Sequence, residues 1–232
     1  MSISKINLTE IFKSLENKYY TIIKLPEIFP LYKTGSDLDI FCFDIDDFAK
    51  NILAILQKNI DDNLHIEMNR MDGQMYIDLM ERDKIHFRFD LYDRLPKYNN
   101  VNIKEGFFSS VIESSIVKEL NDIKVKIPSK VDEVILRYIE YHEWFVQRPD
   151  KIKHIHYIED QIRNNGVDVN NFFDKLHFYI GLPKLSENRH VSKFESLRYL
   201  KYLFSLFKKV FFIVKNRGFI STIKTVKSKY KK

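Results

Sequence analysis

Apolar residues recur at helical spacing from the start of the chain: Ile6, Ile11, Phe12 and Leu15 predict a helix over residues 5–18. Residues 20–25 form a short apolar run halted by Pro26 and Pro30, the signature of a strand. Beyond Gly35 the period drops to two. Leu38 and Ile40 share one parity, while Asp37 and Asp39 share the other, so a strand there buries one row and presents the other. Phe48, Ile52, Ile55 and Leu56 then trace an apolar stripe, predicting a helix over 48–58. Three more strands follow at 64–68, 75–80 and 86–92, divided by turn signals at Asp72-Gly73 and Glu81-Arg82-Asp83 that favour antiparallel neighbours. In the last of them His86, Arg88 and Asp90 occupy one parity, and Phe87, Phe89 and Leu91 the other.

The pattern changes near Pro128. Residues 122–127 read as one more strand, after which helical periodicity takes over. Ser129 and Asp132 have the spacing of a capping box with Asp in place of Glu. Val131, Val134, Ile135, Tyr138, Ile139, His142 and Phe145 then run down one face, ending at Arg148-Pro149. Helices over 151–165 and 170–180 are closed by Gly166 and by Gly181 with Pro183. A second capping box, Ser192 to Glu195, opens a long helix to about residue 216, broken at Arg217-Gly218. This order predicts an α+β protein: a small mixed β-sheet core over 1–127, a helical region over 128–190, and an amphipathic, basic C-terminal helix and tail over 191–232.

Charge sharpens that division. The chain of 232 residues carries a net charge of +6, yet its last acid is Glu195, and residues 196–232 hold 11 lysines and arginines. The preceding residues carry 27 basic against 32 acidic groups. A mildly acidic body offers no basic groove and argues against nucleic acid as a partner. Aromatic and aliphatic residues among lysines suit an anionic membrane surface instead, although the apolar run is too interrupted to cross a bilayer. The N-terminus lacks the apolar stretch of a secretory signal, and a single cysteine, Cys42, excludes an internal disulfide framework. A cytoplasmic protein, peripheral at an anionic membrane surface, is the expectation.

The candidate chemistry lies in Asp37 and Asp39. Two like charges on one strand face favour a hard cation between them, with phosphate oxygens completing its shell. Asp90 has the parity and the downstream distance to join them if its strand lies alongside, and three carboxylates suffice to hold two metal ions about 4 Å apart. Asp44 and Asp46 repeat the spacing immediately before a helix, where capping and the helix dipole account for them. Lys151, Lys153, His154 and His156 read as a solvated basic face. The polar segment from Arg94 to Val101 is placed to border a substrate cleft.

The run Thr34-Gly35-Ser36-Asp37-Leu38-Asp39-Ile40, with His86 to Leu91 some fifty residues on, resembles the polymerase β-type nucleotidyltransferase superfamily over roughly residues 15–95. The resemblance implies a metal-dependent transfer of a nucleotidyl or related phosphoryl group to a hydroxyl. Asp37, Asp39 and Asp90 would be the catalytic and metal-binding residues, with Mg²⁺ (or Mn²⁺) as cofactor. One part of the family's pattern is missing: no glycine precedes Gly35, so the early Gly-Ser that grips a triphosphate has no counterpart. Gly35, Ser36, Lys24 and Arg88 are the candidates for nucleotide or phosphate contact in its place. The C-terminal segment resembles the basic, glycine-broken helices of bacterial enzymes that build surface polysaccharides at the inner membrane, implying a sugar or glycan acceptor. Two alternatives stand beside this: a nucleotide-sugar glycosyltransferase using Asp-x-Asp, and a catalytically inactive binding module of the same fold.

Overall fold

The computed structural model describes residues 5–120, 122–144, 147–164 and 166–180. The protein is α+β. A five-stranded mixed sheet is built from β1 (Tyr20–Ile22), β2 (Ser36–Cys42), β3 (Leu64–Met71), β4 (Gln74–Glu81) and β5 (Lys84–Tyr92), in the spatial order β1-β2-β5-β4-β3. All neighbours are antiparallel except β2 and β5, which run parallel at the centre. A parallel pair needs a long crossover. Here it consists of α2 (Ile45–Asn59) and the β3–β4 hairpin, whose two-residue turn at Asp72-Gly73 relies on a glycine with φ of 76°.

One face of the sheet carries Leu38, Ile40, Ile77, Leu79, Phe87, Phe89 and Leu91, all buried in a core completed by α1 (Leu8–Ser14) and α2. The positions on β2 and β5 follow the predicted alternation. At the start of α2, the Asp44 side chain accepts a hydrogen bond from the Asp47 backbone N–H at 2.9 Å, so its role is the expected cap. The helix begins at Ile45, a turn earlier than its apolar stripe indicates, because that cap draws the first turn back to the aspartate.

Two elements escape the periodicity. The first is α3 (Phe107–Glu113), a seven-residue helix entered through Gly106 at φ 87° without a side-chain cap. The second is β6 (Ile116–Leu120), which pairs antiparallel with β7 (Ile123–Ile127) in a separate two-stranded sheet. Most of β6 is exposed, so it lacks the buried parity that announces a strand. β7 turns Ile123 and Val125 into the core beside α1 and β1.

Residues 160–180 pack in the same compact unit as the described residues up to Leu136, whereas Arg137–Glu159 belongs to a second unit. In the first unit, the first turn of α4 (Lys130–Trp144) carries Asp132, a fully buried carboxylate. Asp132 accepts from the Ser129 and Ser114 hydroxyls and pairs with the Lys175 ammonium of α6 (Val169–Tyr179) at 2.6 Å. Its backbone N–H donates to the Ser129 hydroxyl at 3.2 Å, which is half of the expected capping box. In the second unit, Lys153 and His156 on α5 (Ile152–Arg163) are exposed as the solvated face requires, but Lys151 and His154 correct that expectation. His154 is buried, 2.8 Å from Glu140, and Lys151 reaches the same carboxylate at 3.1 Å. The long basic helix expected beyond Ser192 lies outside the described residues.

Candidate active site

Gly35 sets the entry to β2. Its φ of 77° is a left-handed conformation that suits glycine, and it aims the Gly35 N–H at the His86 carbonyl, 2.8 Å away on β5. Ser36 tightens the same turn, its N–H and its hydroxyl both donating to the Lys33 carbonyl at 3.0 and 2.6 Å. The hydroxyl proton of Ser36 is therefore engaged within the turn.

From this start the parallel register follows. Asp39 lies opposite Asp90, and Asp37 opposite Arg88. Side chains alternate along both strands, so Asp37, Asp39, Arg88 and Asp90 share the face turned away from the core. Antiparallel pairing brings Tyr76 opposite Asp90 and Asp78 opposite Arg88 from β4. Asp90 is buried, with 7% exposure, Asp39 is half-buried and Asp37 is exposed. The row thus grades from solvent into the protein.

Asp90 is the electrostatically unusual member. Among the described residues its Oδ1 has no hydrogen-bond donor, and the nearest cation, Arg88 Nε, is 3.7 Å away. Burial pushes its carboxyl up and Asp39 adds to that, while Arg88 opposes both; the result is a carboxyl raised to about 7. Arg88 cannot neutralise it fully because its guanidinium is held by a forked pair of bonds to Asp78, at 2.5 and 2.7 Å, with Tyr76 beneath it at 4.6 Å. That pairing raises the Arg88 pKa further.

Of the residues predicted from the sequence, Asp37, Asp39, Arg88 and Asp90 come together on one face. Gly35 and Ser36 form the turn at its edge. Lys24 is exposed, two residues beyond β1; Ile23, whose N–H donates to the Asp39 carbonyl at 3.0 Å, is the residue that comes level with the acids. His86 does not join the polar row that its parity predicts. It is buried beside Tyr32, with Nε2 3.0 Å from the tyrosine oxygen, and Nδ1 lies 3.4 Å from Glu81. It sits where the β4–β5 register shifts, and the core claims its ring there.

Tyr76 and Asp78 are additions from the structure. Their signal was present in the alternation of Gln74, Tyr76 and Asp78 with Met75, Ile77 and Leu79, but only the strand order reveals that they border the acids. The acids' chemistry suits a hard cation: the donors are carboxylate oxygens, and Asp90 Oδ1 is buried without a donor. As placed, however, no group of three or more acidic, histidine or cysteine side chains among the described residues stands ready to hold a metal ion.

Past the acids, toward the C-terminal ends of β2 and β5, Phe41 and Tyr92 occupy the next positions on the same face. Their rings lie 5.9 Å apart, and Phe108 of α3 packs on Phe41 at 4.8 Å. Phe108 also lines a cavity of about 540 Å³ formed by the chain between Arg94 and Gly106. Its first part, Arg94 to Val101, is the segment expected to border a substrate cleft.

No protein-family model matches the chain, and no curated protein sequence does either. Among solved structures, a Helicobacter pylori protein named as a proposed nucleotidyltransferase is similar at a TM-score of 0.33 and 12% identity, over 85% of this chain and 92% of that one. JHP933 from Helicobacter pylori is similar at a TM-score of 0.31 and 12% identity, over 87% and 93% respectively. At that degree of overlap the likeness does not define the fold, which is described by its own sheet order and register.

Proposed function

We propose that the protein is a metal-dependent nucleotidyltransferase that moves a nucleotidyl, or a related phosphoryl, group onto a hydroxyl acceptor. One observation carries this reading: Asp39 and Asp90 oppose each other on adjacent parallel strands, and the buried one has a raised pKa and an oxygen without a donor. Asp90 would take the proton of the attacking hydroxyl, since a carboxyl near neutrality is matched to that task. The hydroxyl oxygen forms a bond to the α-phosphorus of a nucleoside triphosphate, the bond to the bridging oxygen breaks, and pyrophosphate departs. Asp37 and Asp39, with Asp90, would hold Mg²⁺ or Mn²⁺, which would neutralise the phosphate charge. Arg88 orients the row through Asp78. The residues offered to the donor's phosphates remain Ser36, Gly35, Lys24 and Arg88; to serve, Ser36 and Gly35 must exchange their turn bonds to the Lys33 and His86 carbonyls, and Arg88 its bonds to Asp78, for phosphate oxygens.

The acceptor in this proposal is a sugar or glycan intermediate, met at the cytoplasmic face of the membrane through residues 196–232. Among the described residues no helix is long and apolar enough to cross a membrane. A second reading, a binding module of this fold without catalysis, is favoured by the missing early Gly-Ser and by the separation of the acids into no ready ligand set.

A thermal-shift series separates the two. Nucleoside triphosphates, diphosphates and nucleotide-sugars are tested with and without Mg²⁺ or Mn²⁺, on wild type and Asp39→Asn. At about 100 times its dissociation constant a ligand stabilises by roughly 2.7 kcal/mol. A metal-dependent shift with one triphosphate, lost in Asp39→Asn, is the expected result. A shift with nucleotide-sugars alone would indicate glycosyl transfer, and a folded protein that answers none of them would be the inactive module.

A further inference from the structure

The cavity between Arg94 and Phe108 is not explained by metal or donor binding, and its chemistry differs from that of the acids beside it. Arg94, Lys97 and Lys104 line it against a single acid, Glu105. Lys97 is exposed and, among the described residues, makes no hydrogen bond or ion pair. Arg94 is partly engaged by Asp93 and Asp72, both at 3.1 Å. The floor is aromatic, with Phe108 resting on Phe41, which lies two residues beyond Asp39 on the same strand face. Two residues of strand span about 7 Å. A molecule with one end in the cavity would therefore place its other end near Asp39 and Asp90.

The wall is built rather than loose. Ile103 forms a bridge to Ile180, the Lys104 N–H donates to the Tyr179 carbonyl at 2.8 Å, and the Phe107 ring packs on Tyr179 at 5.4 Å. The Lys104 ammonium lies 5.2 Å above the Phe178 ring, which holds it along the rim. The end of α6 thus pins the segment on which the basic residues stand.

From this we infer that the cavity is the acceptor subsite, and that it takes an acceptor bearing a phosphate group. An anion would be repelled by Asp37, Asp39 and Asp90, so an anionic acceptor needs cations displaced from them by about the length of a sugar ring. Lys97 and Lys104 line the cavity whose Phe108 rests on Phe41, two strand positions beyond Asp39. A volume near 540 Å³ suits a molecule the size of a sugar phosphate. The assignment of this molecule as acceptor, rather than as a bystander, rests on the transfer reading above.

The test is calorimetric titration of the full chain with glucose 1-phosphate, inorganic phosphate and glucose, in chelator, so that binding does not depend on the acids holding a cation. Glucose 1-phosphate is expected to bind, with glucose far weaker. The Lys97→Ala/Lys104→Ala variant is expected to lose about tenfold in affinity at unchanged melting temperature. Lys97→Arg is expected to retain binding, and affinity is expected to fall as salt rises. A triphosphate titrated with Mg²⁺ reports the donor site separately. If the double variant weakens it as much as it weakens glucose 1-phosphate, the cavity belongs to the donor and the inference fails. Failure of either phosphate to bind wild type also overturns it, while leaving the metal-dependent triphosphate shift to decide the transfer reading on its own.

Discussion

Asp90 is held in an environment that costs stability. A carboxylate buried beside Asp39, with its nearest arginine committed to Asp78, is worse off than the same group in water. Asp90→Asn removes that penalty while keeping the shape, so the variant is expected to melt no lower than wild type in chelator at pH 8, and to have lost all transfer when both are assayed with Mg²⁺. A large drop in melting temperature would mean that Asp90 is a structural residue. Glu140 is the opposite case. Its burial raises the carboxyl, but His154 and Lys151 outweigh that and hold it down at about 2. Its folded pKa lies below the ordinary glutamate value of 4.5, so its stabilisation is present above about pH 4.5 and is lost as pH falls toward 2. The side chain is half-exposed, and solvent screening keeps the effect small. Glu140→Gln is expected to flatten part of the acid limb of the melting-temperature profile; an identical limb in the variant would exclude the linkage.

At the level of elements, the alternation along β2 and β5 was readable because one row is driven into the core and the other is not. The same reasoning failed for α3 and β6, which have seven and five residues. Neither buries a periodic stripe long enough to stand out, and α3 is entered through a glycine rather than a capping side chain. It also misjudged His86 and His154, since a polar residue on a polar parity is indistinguishable from one that finds a buried partner. α6 shows an element positioning another far from it in sequence: its end secures the cavity wall through Tyr179. Tyr179→Ala keeps the backbone bond to Lys104 but removes the ring from Phe107. Hydrogen exchange is expected to speed up across residues 101–107 while the amides of β2 and β5 stay protected. Equal loosening of both would show that Tyr179 supports the unit at large and not this wall.

For the molecule as a whole, the uneven charge carries the membrane proposal. The full chain is expected to float with vesicles containing anionic lipid, to float less as salt rises, and to lose that association when residues 196–232 are removed. Flotation unchanged by the truncation would sink the idea.

The sequence alone determined which residues alternate, where chains of apolar positions end, and that Asp37 and Asp39 must share a face, because these follow from periods of two and 3.6 acting locally. It also supplied the α+β order and the polar segment after Asp90. Only the tertiary structure decided that β5 lies parallel beside β2 with Asp90 level with Asp39, that Asp78 engages Arg88, and that α6 returns to pin a basic cavity next to the acids. Those facts depend on which strands pair and in what register. Pairing is selected by burial summed over the whole sheet, and no local window of sequence contains that sum.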